Sequence, residues 1–425
     1  MSDTTVFPSP LTGDVCIPAS KSVCHRAVIC AGLSEGTSRI SGILLSDDII
    51  ATMQAMEALG AVIRQEGDTL IITGTDCKNP VQNEITCNES GSTLRFLIPL
   101  GLKGQKMTFT GKGKLVERPL HDYFAILDEQ KIEYQTNHGH LPLTVNGRLQ
   151  SGQFRLRGDV SSQFVSGLLF ALPLLEGDSS IIITTEMESQ GYIDLTLAML
   201  AHFGIEVINK NYQEFIVPGN QKYRATDYHV EGDYSQVAFW LTAGTIGSPI
   251  HCAGLNPSSL QGDKVILDLI KEMGGNLEEK SNSTIAHPTT TKGIIIDASQ
   301  CPDLVPILTV LAAVSEGTTQ IIKAGRLRIK ESDRLKAIAQ ELNKLGAHVL
   351  ENEDSLTIHG RPGLVGGCVV DSWKDHRIAM ALAVASIKCQ QPITIRHSEC
   401  VSKSYPDFWQ DFQSLGGKVN ECHLG

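Results

Sequence analysis

The chain has 425 residues, 41% of them hydrophobic, with a formal net charge of -11 and a pI near 5.6. That length exceeds one ordinary core and suits two domains, and the acidic balance argues against a nucleic-acid or anionic-membrane surface. The longest apolar stretches, such as residues 164–175, fall short of the roughly 18 residues a membrane span needs, so no bilayer crossing is expected. The start, MSDTTVFPSPLTG, carries no basic region followed by an apolar run, so no secretory signal is expected. Eleven scattered cysteines without a CxxC pair point to reduced thiols in a cytoplasm and no zinc site; separately, no other metal and no cofactor is expected.

Along the chain, helix-like stretches run into a short turn and then an alternating strand, first in MEALGAVIRQEGDTLIITG (residues 56–74). Later copies turn at Lys131, Gly204, Gly274, Gly346 and Gly416, so the gaps from Gly60 are 71, 73, 70, 72 and 70 residues. A second series of apolar helix-like segments ends at Gly36, Gly104, Gly177, Gly247, Gly317 and near Cys389, with gaps of 68, 73, 70, 70 and 72. Two phase-locked markers per period predict six copies of one supersecondary unit of about 71 residues, three per domain.

Within each unit the first helix is apolar nearly all round, as in VCHRAVICAGL (residues 23–33), FVSGLLFALPLL (164–175) and LVPILTVLAAV (304–314), and belongs inside a core. The second is amphipathic, as in DRLKAIAQELNKLG (333–346), and belongs outside over strands. Strands such as DTLIITG (68–74) and DSLTIHG (354–360) alternate, which predicts sheets with one wet face around buried helices.

Serines, carboxylates and cations gather at one phase of the repeat, at the helix starts. The buried series reads PASKSVCHR, NESGSTLR, DVSSQF, GDYSQ, CPD and KDHR; the amphipathic series reads SDD, ERP, ESQGY, QGDK, KESDR and SKSYPD. Free amides, the positive end of the helix dipole and Lys or Arg together make an anion site suited to phosphates and carboxylates. Singly, Ser46, Asp263 and Asp303 read as N-caps, and Glu331 and His376 as solvated residues. Lys21, Arg26, Arg118, Lys330 and Lys403 lie at or near helix starts, where a positive charge costs about 0.3–1 kcal/mol, so their clustering predicts a bound polyanion that offsets the cost. GKGK (111–114) lacks the full phosphate-loop pattern, and no HExxH, nucleophile elbow or GxGxxG occurs.

In order, PASKSVCHRA, NESGSTLRFL, ERPL, SSQF, KESDRL, DHRIAMALA and SKSYPDF resemble the motif set of the EPSP synthases (3-phosphoshikimate 1-carboxyvinyltransferases) among the enolpyruvyl transferases, from near residue 18 to near residue 412. The resemblance implies an α/β fold, a two-domain inside-out α/β barrel with six βαβαββ repeats, three per domain. Residues 18–229 would form one domain, and residues 1–17 with 230–425 the other, with crossovers near 17 and 229. It implies transfer of the enolpyruvyl group of phosphoenolpyruvate to the 5-hydroxyl of shikimate 3-phosphate in aromatic amino-acid biosynthesis. The partners are these two small molecules, with no nucleic acid or membrane, and a monomer is expected.

Matched by motif, Lys21, Ser22, Arg26, Ser161, Ser162, Gln163, Ser189, Tyr192, Asp303 and Lys330 would hold shikimate 3-phosphate. Lys21, Gly91, Arg118, Gln163, Arg334, Arg377 and Lys403 would hold phosphoenolpyruvate. Asp303 would take the hydroxyl proton and Glu331, with Lys21 as competitor, would serve proton transfer at C3. The two halves of such a site come from different domains, which implies closure around the substrates. Three positions depart from the pattern. Ala19 stands where many members have glycine, and Phe96 where some have proline. Arg326 stands where some have asparagine; it either donates to the shikimate phosphate or points elsewhere. The nearest rival, the transferase acting on UDP-N-acetylglucosamine, usually has a cysteine before its arginine-proline, which GKGKLVERP lacks, and asparagine where Ser22 stands. From another class, six repeats also suit a binding scaffold without catalysis.

Overall fold

The computed structural model describes residues 2–423. Its strands form six four-stranded sheets, each built the same way. In one, strand Glu84–Thr86 leads through the buried helix Gly91–Leu97 to a parallel partner, Lys103–Thr110. Helix His121–Glu129 then leads to the hairpin Glu133–Asn137 and His140–Arg148, whose second strand lies antiparallel to Lys103–Thr110. The unit is βαβαββ with the strands in the spatial order first, second, fourth, third, and all six sheets follow that order.

The order holds only because the chain borrows strands. The N-terminal strand Ser2–Phe7 fills the fourth place in the sheet of Lys418–His423, and Gly13–Cys16 fills the first place beside Ile250–Ala253. Tyr228–His229 does the same for Thr37–Ser41. Contacts accordingly divide the chain into two compact units, Ala19–Val230 and a second that takes the residues up to Pro18 and from Glu231 onward.

Each unit has its own apolar core. In the discontinuous unit the helices Tyr234–Ile246, Val305–Ala313 and His376–Ala385 pack on one another, and every residue of all three is buried. Helices without a polar face are stable only in such a place, and burying one Leu, Ile or Val side chain contributes about 1.5–3 kcal/mol. The sheets cover them with alternating faces, as in Thr318–Ile322, where Thr319 and Ile321 are buried and Thr318 and Gln320 exposed. The amphipathic helix Arg334–Lys344 buries Leu335, Ile338, Ala339 and Leu342 and turns Lys336 and Gln340 outward.

The turn from the second helix into its hairpin needs left-handed backbone in every repeat. Gly60, Gly204, Gly274, Gly346 and Gly416 have φ of 110°, 80°, 90°, 92° and 95°, and Lys131 has 55°. Glycine enters this region freely, whereas other residues pay about 1–2 kcal/mol. Lys131 therefore carries strain its five counterparts avoid. A methyl at Gly274 meets nothing nearer than the Thr290 carbonyl oxygen at 3.8 Å, so its cost there is conformational alone. Gly274→Ala is expected to lower stability by about 1–2 kcal/mol, and Lys131→Gly to raise it by up to about 1 kcal/mol after the entropy of glycine is discounted. Urea midpoints that move in the same direction for both variants would contradict this reading of the turn.

Candidate active site

In the unit Ala19–Val230, helix Lys21–Gly32 begins on the motif PASKSVCHR. Lys21 is its first residue, where its charge opposes the dipole. The Lys21 ammonium meets Asp48 Oδ2 at 2.8 Å, from the first turn of helix Asp47–Ala58, so a carboxylate from the neighbouring helix start neutralises it. One helical turn on, Arg26 is 2% exposed and ties three elements together. Its Nε donates to Thr196 Oγ1 at 2.8 Å, Nη1 to the Ser22 carbonyl at 2.7 Å and Nη2 to the Tyr192 carbonyl at 2.8 Å. Its guanidinium lies 5.2 Å from the centre of the Phe96 ring, and burial pulls its pKa down to about 10.

The starts of helices Gly91–Leu97 and Ser162–Ala171 meet through Gln163. Its amide nitrogen donates to Ser92 Oγ at 2.9 Å and its amide oxygen accepts from Arg95 Nη1 at 2.8 Å, so both ends of the amide are oriented. Ser90 and Ser161 cap the two helices through Thr93 N and Gln163 N. Arg118 is 8% exposed and lies across Gly91, where a Cβ would stand 2.6 Å from Arg118 Nη1. Glycine at 91 is therefore a requirement of that close approach. Ser189 is buried in left-handed backbone, φ 55°, just before helix Gln190–His202, with Tyr192 on its first turn. Ser22 and Tyr192 are partly buried and Ser162 is buried.

The second unit gathers its residues more tightly. Asp303 lies in a 3₁₀ turn leading into helix Val305–Ala313, and its side chain is 18% exposed. Its Oδ1 accepts from Arg334 Nη1 at 2.8 Å, and its Oδ2 from Arg377 Nη2 at 2.9 Å. The Lys330 ammonium stands 3.8 Å from Oδ1. Burial by itself would raise the pKa of Asp303, but Arg377, Lys330 and Arg334 together hold it well below the usual carboxylate range. Arg334, 1% exposed, also takes Glu331 Oε2 on Nη2 at 2.6 Å and Asp375 Oδ2 on Nε at 2.8 Å. Asp375 further accepts from Ser332 Oγ at 3.0 Å and caps helix His376–Ala385 through Arg377 N at 3.0 Å. Arg377 reaches Ser235 Oγ at 3.1 Å, on helix Tyr234–Ile246. Four helix starts thus meet through three cations, Lys330, Arg334 and Arg377, and three carboxylates, Asp303, Glu331 and Asp375.

Burial lowers the pKa of Lys330 to about 8, with Arg326 and Arg334 adding to the fall and Asp303 and Glu331 opposing it. Lys403 ends the 3₁₀ segment Ser398–Lys403 and donates to the Lys374 carbonyl at 2.9 Å. Two residues on, Tyr405 is fully buried, accepting from Trp240 Nε1 at 3.1 Å and donating to Asp411 Oδ2 at 2.5 Å, which anchors that segment. Among the described residues no group of three or more His, Cys, Asp or Glu is arranged to hold a metal ion.

Several expectations change. Asp303 does not cap: its carboxylate is spent on guanidiniums, and the cap position of its turn belongs to Cys301. Ser46 occupies a cap position but makes no cap bond, and Asp263 lies inside a 3₁₀ turn with Gln261 before it. Glu331, paired with Arg334, and His376, 2% exposed, are not solvated residues. Arg118, Lys330 and Lys403 lie in turns near but outside the regular helices, and of the expected site cations Lys21, Arg334 and Arg377 stand on first turns. In this structure those three pair with protein carboxylates: Lys21 with Asp48, Arg334 with Asp303, Glu331 and Asp375, and Arg377 with Asp303. The partners missed were Asp48 and Asp375, visible in SDD and KDHR at the right phase, and Arg95, which orients Gln163. Arg326 donates to the Ser299 carbonyl at 2.5 Å, tying its turn to the segment that precedes Asp303.

Comparison with known proteins agrees with this architecture. The family model described as EPSP synthase (3-phosphoshikimate 1-carboxyvinyltransferase) matches residues 7–412. A protein of Clostridium kluyveri named 3-phosphoshikimate 1-carboxyvinyltransferase is 57% identical over 426 residues, covering all of both chains, and one of Clostridioides difficile with the same name is 52% identical over 437 residues, again covering all of both chains. Among solved structures, EPSP synthase from Acinetobacter baumannii superposes with a TM-score of 0.81 at 26% identity, covering all of both chains. The enolpyruvyl transferase NikO from Streptomyces tendae superposes with a TM-score of 0.82 at 16% identity, over 100% of this chain and 99% of its own, and shows the shared fold. The six βαβαββ repeats, the charged helix starts and these matches lead to one assignment: the chain belongs to the EPSP synthase family.

Proposed function

We propose that this chain transfers the enolpyruvyl group of phosphoenolpyruvate to the 5-hydroxyl of shikimate 3-phosphate, releasing phosphate, as a step of aromatic amino-acid biosynthesis. The observation that carries the reading is the cluster around Asp303, where two guanidiniums and an ammonium surround one carboxylate and Glu331 stands on the same arginine. Arginine forks suit both the carboxylate and the phosphate of phosphoenolpyruvate. We assign Arg118, Arg334, Arg377 and Lys403, with Gly91, Gln163 and Lys21, to that substrate. Ser22, Arg26, Ser161, Ser162, Gln163, Ser189 and Tyr192, with Asp303 and Lys330, go to shikimate 3-phosphate.

The addition step moves the 5-hydroxyl proton to a base as oxygen attacks C2, while C3 gains a proton, giving a tetrahedral intermediate. Elimination returns the C3 proton and expels phosphate. We assign Asp303 to the hydroxyl proton and Glu331, with Lys21 as the alternative, to C3; a positioned acid or base contributes about 10²–10⁴-fold. An Asp303 held by Arg334 and Arg377 is a weak base. When the anionic groups of phosphoenolpyruvate take those two arginines, Asp303 loses two of its three opposing charges, keeping Lys330, and its basicity rises as the substrate arrives. The same arginines then stabilise charge on the departing phosphate. Both residue sets serve one reaction, and we take a single chain to supply them in a reducing cytoplasm.

The direct test follows phosphate release. It is expected only with shikimate 3-phosphate and phosphoenolpyruvate together; release with UDP-N-acetylglucosamine in place of the shikimate would overturn the assignment. Arg118→Ala is expected to weaken phosphoenolpyruvate binding by about 2–5 kcal/mol, the penalty for removing one partner of a buried charge pair, and calorimetric affinity within twofold of the parent would remove Arg118 from the site. Lys330 carries a pH signature. Its free pKa of about 8 rises when an anion binds, so its contribution to shikimate 3-phosphate affinity is complete below about pH 8 and is lost as pH climbs through the bound-state value. The dissociation constant should rise above pH 8 in the parent and stay flat in Lys330→Met; the same rise in both would contradict the role.

A further inference from the structure

Between strand Val369–Asp371 and helix His376–Ala385 the chain passes through two consecutive left-handed residues, neither of them glycine: Trp373 at φ 54° and Lys374 at φ 56°. Side chains that large leave this region unless their surroundings over-determine it, and such strain gathers where geometry serves function. Here the surroundings are specific. Asp371 Oδ1 accepts from Trp373 N at 2.6 Å, Ser372 Oγ from Lys374 N at 3.1 Å, and the Ser372 carbonyl from Asp375 N at 2.9 Å.

The outer hold comes from Glu341, a carboxylate whose residue is 1% exposed. It accepts from Trp373 Nε1 at 2.9 Å, Asp371 N at 3.0 Å and Lys344 Nζ at 2.7 Å, so a charge too costly to bury alone is satisfied by three donors, two of them from the turn. Glu341 lies on the same helix as Arg334, seven residues along and on the same face. The helix therefore grips the turn twice, through Glu341 at its beginning and through Arg334 on Asp375 at its end. Between these grips the Lys374 carbonyl is presented to Lys403 and the Asp375 cap sets the start of the helix that carries Arg377.

We propose that Glu341 and Trp373 are positioning residues for the anion-binding groups of this unit, holding the turn 371–375, left-handed at Trp373 and Lys374, in the form that aims Lys403, Arg334 and Arg377. The inference rests on the reading of those three cations as ligands of phosphoenolpyruvate, and it adds two side chains that contact no substrate in that reading. Trp373→Phe keeps an apolar ring but removes the indole donor. Glu341→Gln keeps the size but turns an amide donor or a weaker acceptor toward the indole and the Asp371 amide.

In the full-length chain, each single substitution is expected to raise the KM for phosphoenolpyruvate at least fivefold while the dissociation constant of shikimate 3-phosphate, by calorimetry, stays within twofold. The double variant should be no worse than Glu341→Gln alone, because both changes break the same bond. Amide exchange at Lys374 and Asp375 should quicken at least tenfold in both single variants, a readout independent of turnover. A KM within twofold of the parent in both variants, a parallel loss of affinity for both substrates, or unchanged exchange at those amides would overturn the clamp. Absence of turnover in the parent counts against the substrate reading instead, and the exchange measurement then decides the clamp alone.

Discussion

Arg334 is the group on which the discontinuous unit's chemistry turns. A guanidinium 1% exposed is tolerable only when its donors are filled, and it is filled by carboxylates from three places: the turn before one buried helix, the segment just before its own helix, and the cap of another buried helix. Removing one partner of a buried pair costs about 3–5 kcal/mol, because the other is left charged and dry. The interaction therefore links the starts of helices Arg334–Lys344, Val305–Ala313 and His376–Ala385 more firmly than apolar contact does, since apolar contact fixes no direction.

From that arrangement follows a competition. Lys330, Arg334 and Arg377 are balanced by Asp303, Glu331 and Asp375, so the cluster has no surplus charge of its own. An anionic guest gains by taking the arginines from Asp303, the most exposed member of the pairs they make with aspartates, and not from Asp375, which is fully buried and holds a helix cap besides. The carboxylate released is the one assigned to the hydroxyl proton. In the proposed reaction, binding of one substrate would thus be coupled to basicity toward the other through exchange of the ion pairs at Asp303.

Much of this was legible in the sequence, for a mechanical reason. Each βαβαββ unit must leave its second helix through left-handed backbone, so five glycines and Lys131 mark the period, and the apolar first helices mark it again because they are buried on every side. Borrowed strands were harder to see, since Ser2–Phe7 pairs with Ile393–Arg396 and Lys418–His423 at the far end of the chain. The cations near helix starts are visible in the sequence, and of the five singled out there Lys21 stands on a first turn against the dipole. Which carboxylate pairs with which cation is not visible, because Asp375 lies 41 residues from Arg334 and Asp303 lies 74 from Arg377, and a carboxylate before a helix reads as a cap whether or not it also holds an arginine. Asp375 does both.

The ion-pair exchange at Asp303 is tested most directly by Asp303→Asn with full steady-state kinetics. Loss of the carboxylate removes both a base and the competitor for Arg334 and Arg377, so kcat is expected to fall by about 10²–10⁴-fold while the KM for phosphoenolpyruvate stays the same or falls. A variant that keeps its kcat but binds phosphoenolpyruvate more weakly would show that Asp303 supports the arginines without competing for them, and would contradict the account.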